Sequence, residues 1–266
     1  MQRRACFSLL GLPWAGSALA GHALRVAWDH YPPYQRPPRA PGGRPQGLDI
    51  ELAERIAARA GLAIDWRHMP WARQLVALRE GSLDVSLAAS RVAERESYVL
   101  WTHAYRPERA ALLALQAAAD QPTNQPTNLP AKPPPSLRAL RGRRIGLIRG
   151  SAYPGEWDQA LADPGFRAQI VPLRHAEQGV NMLRAGRLDF LVDDPVALHA
   201  LCQDLGLPRL AVQRWIWSGE AALMLSRRVE ASHPGLLRRL NQAIRSLQAE
   251  GGLRELLGRY PELLAR

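Results

Sequence analysis

An α/β fold built as two related lobes is what this sequence predicts, and three observations predict it. Leu78-Arg79-Glu80-Gly81-Ser82-Leu83-Asp84 returns as Leu183-Arg184-Ala185-Gly186-Arg187-Leu188-Asp189, so one Leu-Arg-x-Gly-x-Leu-Asp pattern closes two separate helices. Helical and alternating apolar periodicities take turns on both sides of the chain's middle, the signature of strand–helix units on a parallel sheet. Between the two halves, residues 116–135 are dominated by proline, glutamine and asparagine, unlike anything around them. In each copy of the repeat the glycine tolerates the left-handed conformation that ends a helix, and Leu-Asp then opens a buried strand.

The elements follow in order. Leu24-Arg25-Val26-Ala27-Trp28 alternates as a strand, and Asp29-His30-Tyr31-Pro32-Pro33-Tyr34 is the polar turn after it. Asp49 is placed to cap a helix whose apolar face is Leu52, Ala53, Ile56, Ala57 and Ala60, with Gly61 as the stop. Ile64 and Trp66 mark a second strand, Trp71 to Arg79 a helix, and Leu83 to Leu87 a third strand. The tandem Gln-Pro-Thr-Asn of 121–128 and Pro133-Pro134-Pro135 cannot form a core element, because proline lacks the donor and fixes φ, so 113–136 reads as an exposed loop. Beyond it, Arg144 to Ile148 is a strand and Arg149-Gly150-Ser151 leads toward a helix. Strands at 169–172, 188–192 and 221–226 and helices at 234–248 and 253–257 complete the chain.

With 266 residues there is room for two lobes that each bury a core. Met1-Gln2-Arg3-Arg4, the mostly apolar stretch Ala5–Ala20 and the Ala18-Leu19-Ala20 cleavage site read as a signal peptide over 1–20, so export to the periplasm is expected. Cys6 lies inside that segment and Cys202 is then alone, which leaves no intramolecular disulfide to form. The formal charge of +11 becomes 11 − 2 = +9 once Arg3 and Arg4 leave. Lys132 is the single lysine and the arginines are scattered without interleaved aromatics, so the charge does not describe a nucleic-acid surface. No His-Glu-x-x-His, Gly-x-Ser-x-Gly, Cys-x-x-Cys or Gly-x-x-x-x-Gly-Lys occurs, which gives hydrolase, redox and nucleotide chemistry no local support. No cofactor, no metal and no catalytic set is expected.

Leu24–Tyr34, Gly47-Leu48-Asp49-Ile50-Glu51-Leu52, the two repeat segments, Ala93-Glu94-Arg95, Leu140–Gly146 and Leu240–Tyr260 occur in an order that resembles the family 3 periplasmic solute-binding proteins, the polar amino-acid binders of ABC importers. The resemblance implies a periplasmic-binding-protein-like (type II) fold, with a hinge of two crossing strands and a ligand cleft between lobes. Lobe 1 would take 21–112 and 223–266, and lobe 2 would take 137–222. It further implies a monomeric binding protein rather than an enzyme, with a small polar ligand and an inner-membrane ABC permease as partners. A cyclohexadienyl-dehydratase-like enzyme and a ligand-presenting subunit of a sensor kinase are the alternatives.

By the same resemblance Arg95 would clamp a ligand carboxylate and Asp194 would take its ammonium, from opposite lobes. Tyr31 and Trp71 would wall the ligand, and Ser151 would offer a hydroxyl. Val92 stands where a threonine is usual, and Ala88 and Ala89 stand where hydroxyls assist, so Ser90 and Arg91 join the candidates, Arg91 as a second possible carboxylate holder. Each has a competing structural role: a solvated arginine at 95, a helix cap at Asp194 ahead of Pro195, a helix cap at Ser151, and core packing for Tyr31 and Trp71.

Overall fold

The computed structural model describes residues 23–116 and 136–260. The signal-peptide reading at 1–20 and nearly all of the proline-rich insertion fall outside them. The first half runs β1 (Leu24–Trp28), α1 (Leu48–Arg59), β2 (Ile64–His68), α2 (Trp71–Glu80), β3 (Val85–Ser90) and β4 (Val99–Leu115). The second runs β5 (Ile145–Ile148), α3 (Glu156–Ala162), α4 (Pro164–Arg167), β6 (Ile170–Leu173), α5 (Ala176–Arg184), β7 (Phe190–Asp193), α6 (Pro195–Asp204) and β8 (Leu210–Ser226). Three helices follow: α7 (Arg227–Ser232), α8 (Leu236–Ala249) and α9 (Gly252–Leu257). Among the described residues no helix is long and apolar enough to cross a membrane.

The strand order β2-β1-β3-β8-β4-β7-β5-β6 is the same arrangement written twice in opposite directions. In each half the first strand pairs in parallel with the two that follow it, and the third then pairs antiparallel with a strand that arrives from the other half. Those exchanged strands are β4 and β8, each 17 residues long and paired with one another from Val99↔Ser226 to Leu115↔Leu210. This is a type II periplasmic-binding-protein-like fold, and the long antiparallel pair is its hinge. The crossings therefore lie inside continuous strands, and β4 runs on through Leu113–Leu115, which the sequence reading gave to the loop.

Both copies of the repeat make the same joint. Gly81 and Gly186 take φ of 76° and 64°, the left-handed region that glycine enters without a Cβ clash. Asp84 then accepts the backbone N–H of Arg25 at 2.7 Å and Asp189 that of Arg144 at 2.7 Å, and each aspartate also holds the same arginine's guanidinium. A helix end is thereby tied to the start of the neighbouring parallel strand in each lobe.

Four apolar clusters fill the two faces of the two half-sheets. α8 shows how a face is chosen: Leu236, Leu240, Ala243, Ile244 and Leu247 recur at helical spacing and are buried together against α1 and β4. Each such leucine or isoleucine contributes about 1.5–3 kcal/mol by leaving water. Asp49 does not cap α1, whose N-cap is Gly47 without a side-chain bond. Its carboxylate is buried and paired with Arg106, which outweighs one cap bond.

Candidate functional site

In an open α/β sheet the loops leaving the carboxyl ends of parallel strands face a common crevice. Here β1 delivers Tyr31, β3 delivers Ser90 and then Arg95, β5 delivers Ser151 and Tyr153, and β7 ends on Asp193; all of them line one cavity of about 110 Å³ between the lobes. A bulge shapes the β3 side. Pairing with β8 shifts between Ser86 and Ala89, Ala88 takes φ 51°, and its N–H turns to the Tyr105 hydroxyl at 2.8 Å. That break re-aims the last strand residues toward the cavity.

Arg95 is 5 % exposed and its Nη2 donates to the Gly150 carbonyl of the opposite lobe at 2.8 Å. Its guanidinium lies 5.2 Å from the centre of the Trp71 ring, a cation–π contact. No carboxylate pairs with it among the described residues, and desolvation lowers its pKa. Trp71 is held in turn by Asp29, whose carboxylate accepts its backbone N–H at 3.2 Å, and the buried indole Nε1 has no partner.

Across the cavity the Tyr31 hydroxyl donates to Asp193 Oδ1 at 3.0 Å, while Asp193 Oδ2 is buried without a donor. Burial pushes the Asp193 carboxyl up to about 7, against the hydrogen bonds from the Asp194 N–H and Tyr31. Glu108, half-buried on β4, accepts from the Ser90 hydroxyl at 2.8 Å and is likewise pushed up to about 7 by desolvation.

Five of the expected site residues, Arg95, Tyr31, Trp71, Ser90 and Ser151, thus meet on one cavity. Two do not. Arg91 points to solvent and pairs with Glu96 at 3.1 Å, because the short turn at Ala93–Arg95 carries Arg95 inward and leaves Arg91 outside. Asp194 is the N-cap of α6: its Oδ1 accepts the N–H groups of Val196 and Ala197, and its Oδ2 takes the Tyr34 hydroxyl at 2.8 Å. It faces a separate groove behind β4, and the aspartate that shares the cavity with Arg95 is Asp193. The cause is local. Pro195 starts α6 directly after Asp194, which draws that side chain onto the helix and leaves the preceding strand residue facing the cleft. Ser151 does not begin a helix either, since α3 starts at Glu156; it sits in the turn after β5. The sequence reading missed Tyr153 and Glu108 and passed over Asp193.

Comparison with known proteins fits this geometry. The family model of bacterial extracellular solute-binding proteins, family 3, matches residues 24–262. The chain belongs to this family. A curated relative, the probable amino-acid-binding protein YxeM of Bacillus subtilis (strain 168), is 23% identical over 219 residues, 82% of this chain and 76% of the relative. Among solved structures, a histidine kinase sensor domain with similarity to periplasmic binding proteins superposes with a TM-score of 0.72 at 23% identity, covering 89% of this chain and 95% of that one. An ancestral arginine-binding protein bound to arginine gives 0.70 at 21% identity, over 91% and 98%. At such identities the family 3 chain shares the fold with these structures. Its site rests on its own residues.

Proposed function

We propose that this family 3 protein captures a free amino acid, or a derivative that keeps both α-charges, between its lobes and delivers it unchanged to an inner-membrane ABC permease. One observation carries the reading. A buried guanidinium without a carboxylate partner and a buried carboxylate oxygen without a donor line the same cavity from opposite lobes. A zwitterion supplies both missing partners: its carboxylate accepts from Arg95, and its ammonium donates to Asp193 Oδ2. Tyr31 and Trp71 wall the apolar part of the guest and exclude water. Because neither lobe holds both charges, the solute binds the closed arrangement better than the open one, which is the condition for ligand-driven closure.

The likeness to a probable amino-acid-binding protein and to an arginine-binding protein supports the solute class. Export through residues 1–20 would place the chain in the periplasm as a monomer. The likeness to a kinase sensor domain favours, as a second reading, presentation of the same solute to a sensor. Reconstitution with the permease or the kinase decides between them: solute uptake driven by this protein supports delivery, and phosphorylation without uptake supports sensing. Isothermal titration with the common amino acids tests the capture itself. Binding on the order of micromolar Kd or tighter is expected, with the ligand recovered intact. Heat from none of them would remove the reading, and a converted product would make the chain an enzyme.

A further inference from the structure

Glu108 is a carboxyl group that neither the fold nor a simple zwitterion satisfies. It sits on β4 where that strand crosses between the lobes, and the bond from Ser90 turns its carboxylate toward the Arg95 cavity. The one arginine beside it in sequence on the buried side, Arg106, is already held by both oxygens of Asp49 at 2.6 and 3.2 Å. No arginine lies within ion-pairing distance of Glu108 among the described residues. The charged groups set into the cavity wall are then one cation, the buried Arg95, and three carboxyls, the buried Asp193 and the half-buried Glu108 and Asp29, of which Asp29 already accepts the backbone N–H groups of His30 and Trp71, while Arg174 lies exposed at the rim. A neutral amino acid uses Arg95 and Asp193 and leaves Glu108 with the Ser90 hydroxyl and with the charge of Arg106, an arginine already committed to Asp49. A desolvated carboxylate in that position is costly, which pushes the Glu108 carboxyl up to about 7. A solute with a second cationic group would remove that penalty and balance the cavity's charge.

We propose that Glu108 is a specificity-determining residue that receives a second cationic group of the solute, so that the cleft selects dibasic amino acids over neutral ones of the same shape. The inference rests on the amino-acid reading above, and the experiment separates the two. Arginine and citrulline differ chiefly in charge at the side-chain end, as do lysine and norleucine. Titration at one pH and salt concentration should show the wild-type chain binding arginine at least about tenfold tighter than citrulline, or lysine than norleucine. Glu108→Gln should bring that ratio close to one, with the neutral ligand's Kd changed by less than about threefold. Glu108→Ala gives the same readout should the amide variant fail to fold. An unchanged ratio in whichever variant folds overturns the role of Glu108. Equal binding of charged and neutral ligands by the wild type overturns the selectivity while leaving amino-acid capture in place. Binding of neither pair removes both, and Arg95→Ala abolishing all four ligands upholds capture whatever Glu108 does.

Discussion

The two sides of the β4–β8 crossing carry nearly the same chemistry and use it in opposite ways. Behind β4, Arg106 is held bidentately by Asp49, its guanidinium lies 4.1 Å from the centre of the Tyr34 ring, and the Tyr34 hydroxyl donates to Asp194. Asp49 also accepts from Gln35 and Tyr105, and Asp194 from two helix N–H groups. In front of β4, Arg95 stacks on Trp71 and Tyr31 donates to Asp193, yet the guanidinium has only carbonyl partners and one Asp193 oxygen has none. The rear set is closed within the chain and holds the fold. The front set is short of one anion and one cation, which is what a guest would bring. Residue type does not separate the two sets; how completely each buried polar atom is partnered does.

Breaking the rear set should therefore cost stability. Arg106→Ala leaves Asp49 buried with two neutral donors, and removing one member of a fully buried pair costs about 3–5 kcal/mol. For a chain of this size that lowers Tm by roughly 6–20 °C, readable by calorimetry. Unaltered Tm would mean the rear pair is dispensable and the contrast is wrong. Arg95→Ala should do the reverse. It removes a buried cation that the chain does not neutralise, so Tm stays level or rises, while amino-acid affinity falls by about 100-fold or more with loss of the carboxylate's partner. A large drop in Tm with intact affinity would exchange the roles of the two arginines.

Much of this fold was legible from local chemistry. The Leu-Arg-x-Gly-x-Leu-Asp repeat placed two helix ends, and two strand starts to within two residues, because glycine conformation and apolar alternation are short-range constraints. Arg95 entered only through family resemblance, since nothing in Ala93-Glu94-Arg95 itself says that the side chain turns inward rather than joining Arg91 in solvent. The family resemblance points to Asp194, five residues after Asp189, although Asp194-Pro195 is itself a helix-start signature and strand alternation then sends Asp193 to the other face. Glu108 had no local signal. It meets Ser90 only because the bulged end of β3 and the crossing strand β4 converge, a long-range relation that periodicity does not encode.

The adjacent aspartates provide the next test, with smaller effects. Asp193→Asn keeps an acceptor for Tyr31 but removes the charge facing the cavity, so affinity should weaken by about 10- to 100-fold. Asp194→Ala removes the α6 cap and the Tyr34 acceptor, so it should lower stability by about 1–2 kcal/mol and change Kd by less than about threefold. Titration and thermal denaturation of the two variants should thus give opposite patterns. Identical patterns would show that the strand end does not divide the two carboxylates between cavity and fold.

The smallest effect is a pH dependence that the Asp193→Asn substitution isolates in the front set. In the folded chain the Asp193 carboxyl titrates near 7, well above its ordinary range, because it is desolvated. Between about pH 4 and pH 7 the ligand-free native state keeps a proton that the unfolded chain has released, so this group's stabilising contribution is complete at low pH and is lost as pH rises toward 7. Asn at 193 cannot ionise. The Tm of Asp193→Asn relative to wild type should therefore be level near pH 4 and become positive by pH 8 in the ligand-free protein. Saturating amino acid should reverse that sign at pH 8, because the ammonium then pairs with the ionised wild-type carboxylate. A difference that stays constant across the range, or that ligand does not invert, would mean that Asp193 is as fully partnered as the carboxylates behind β4.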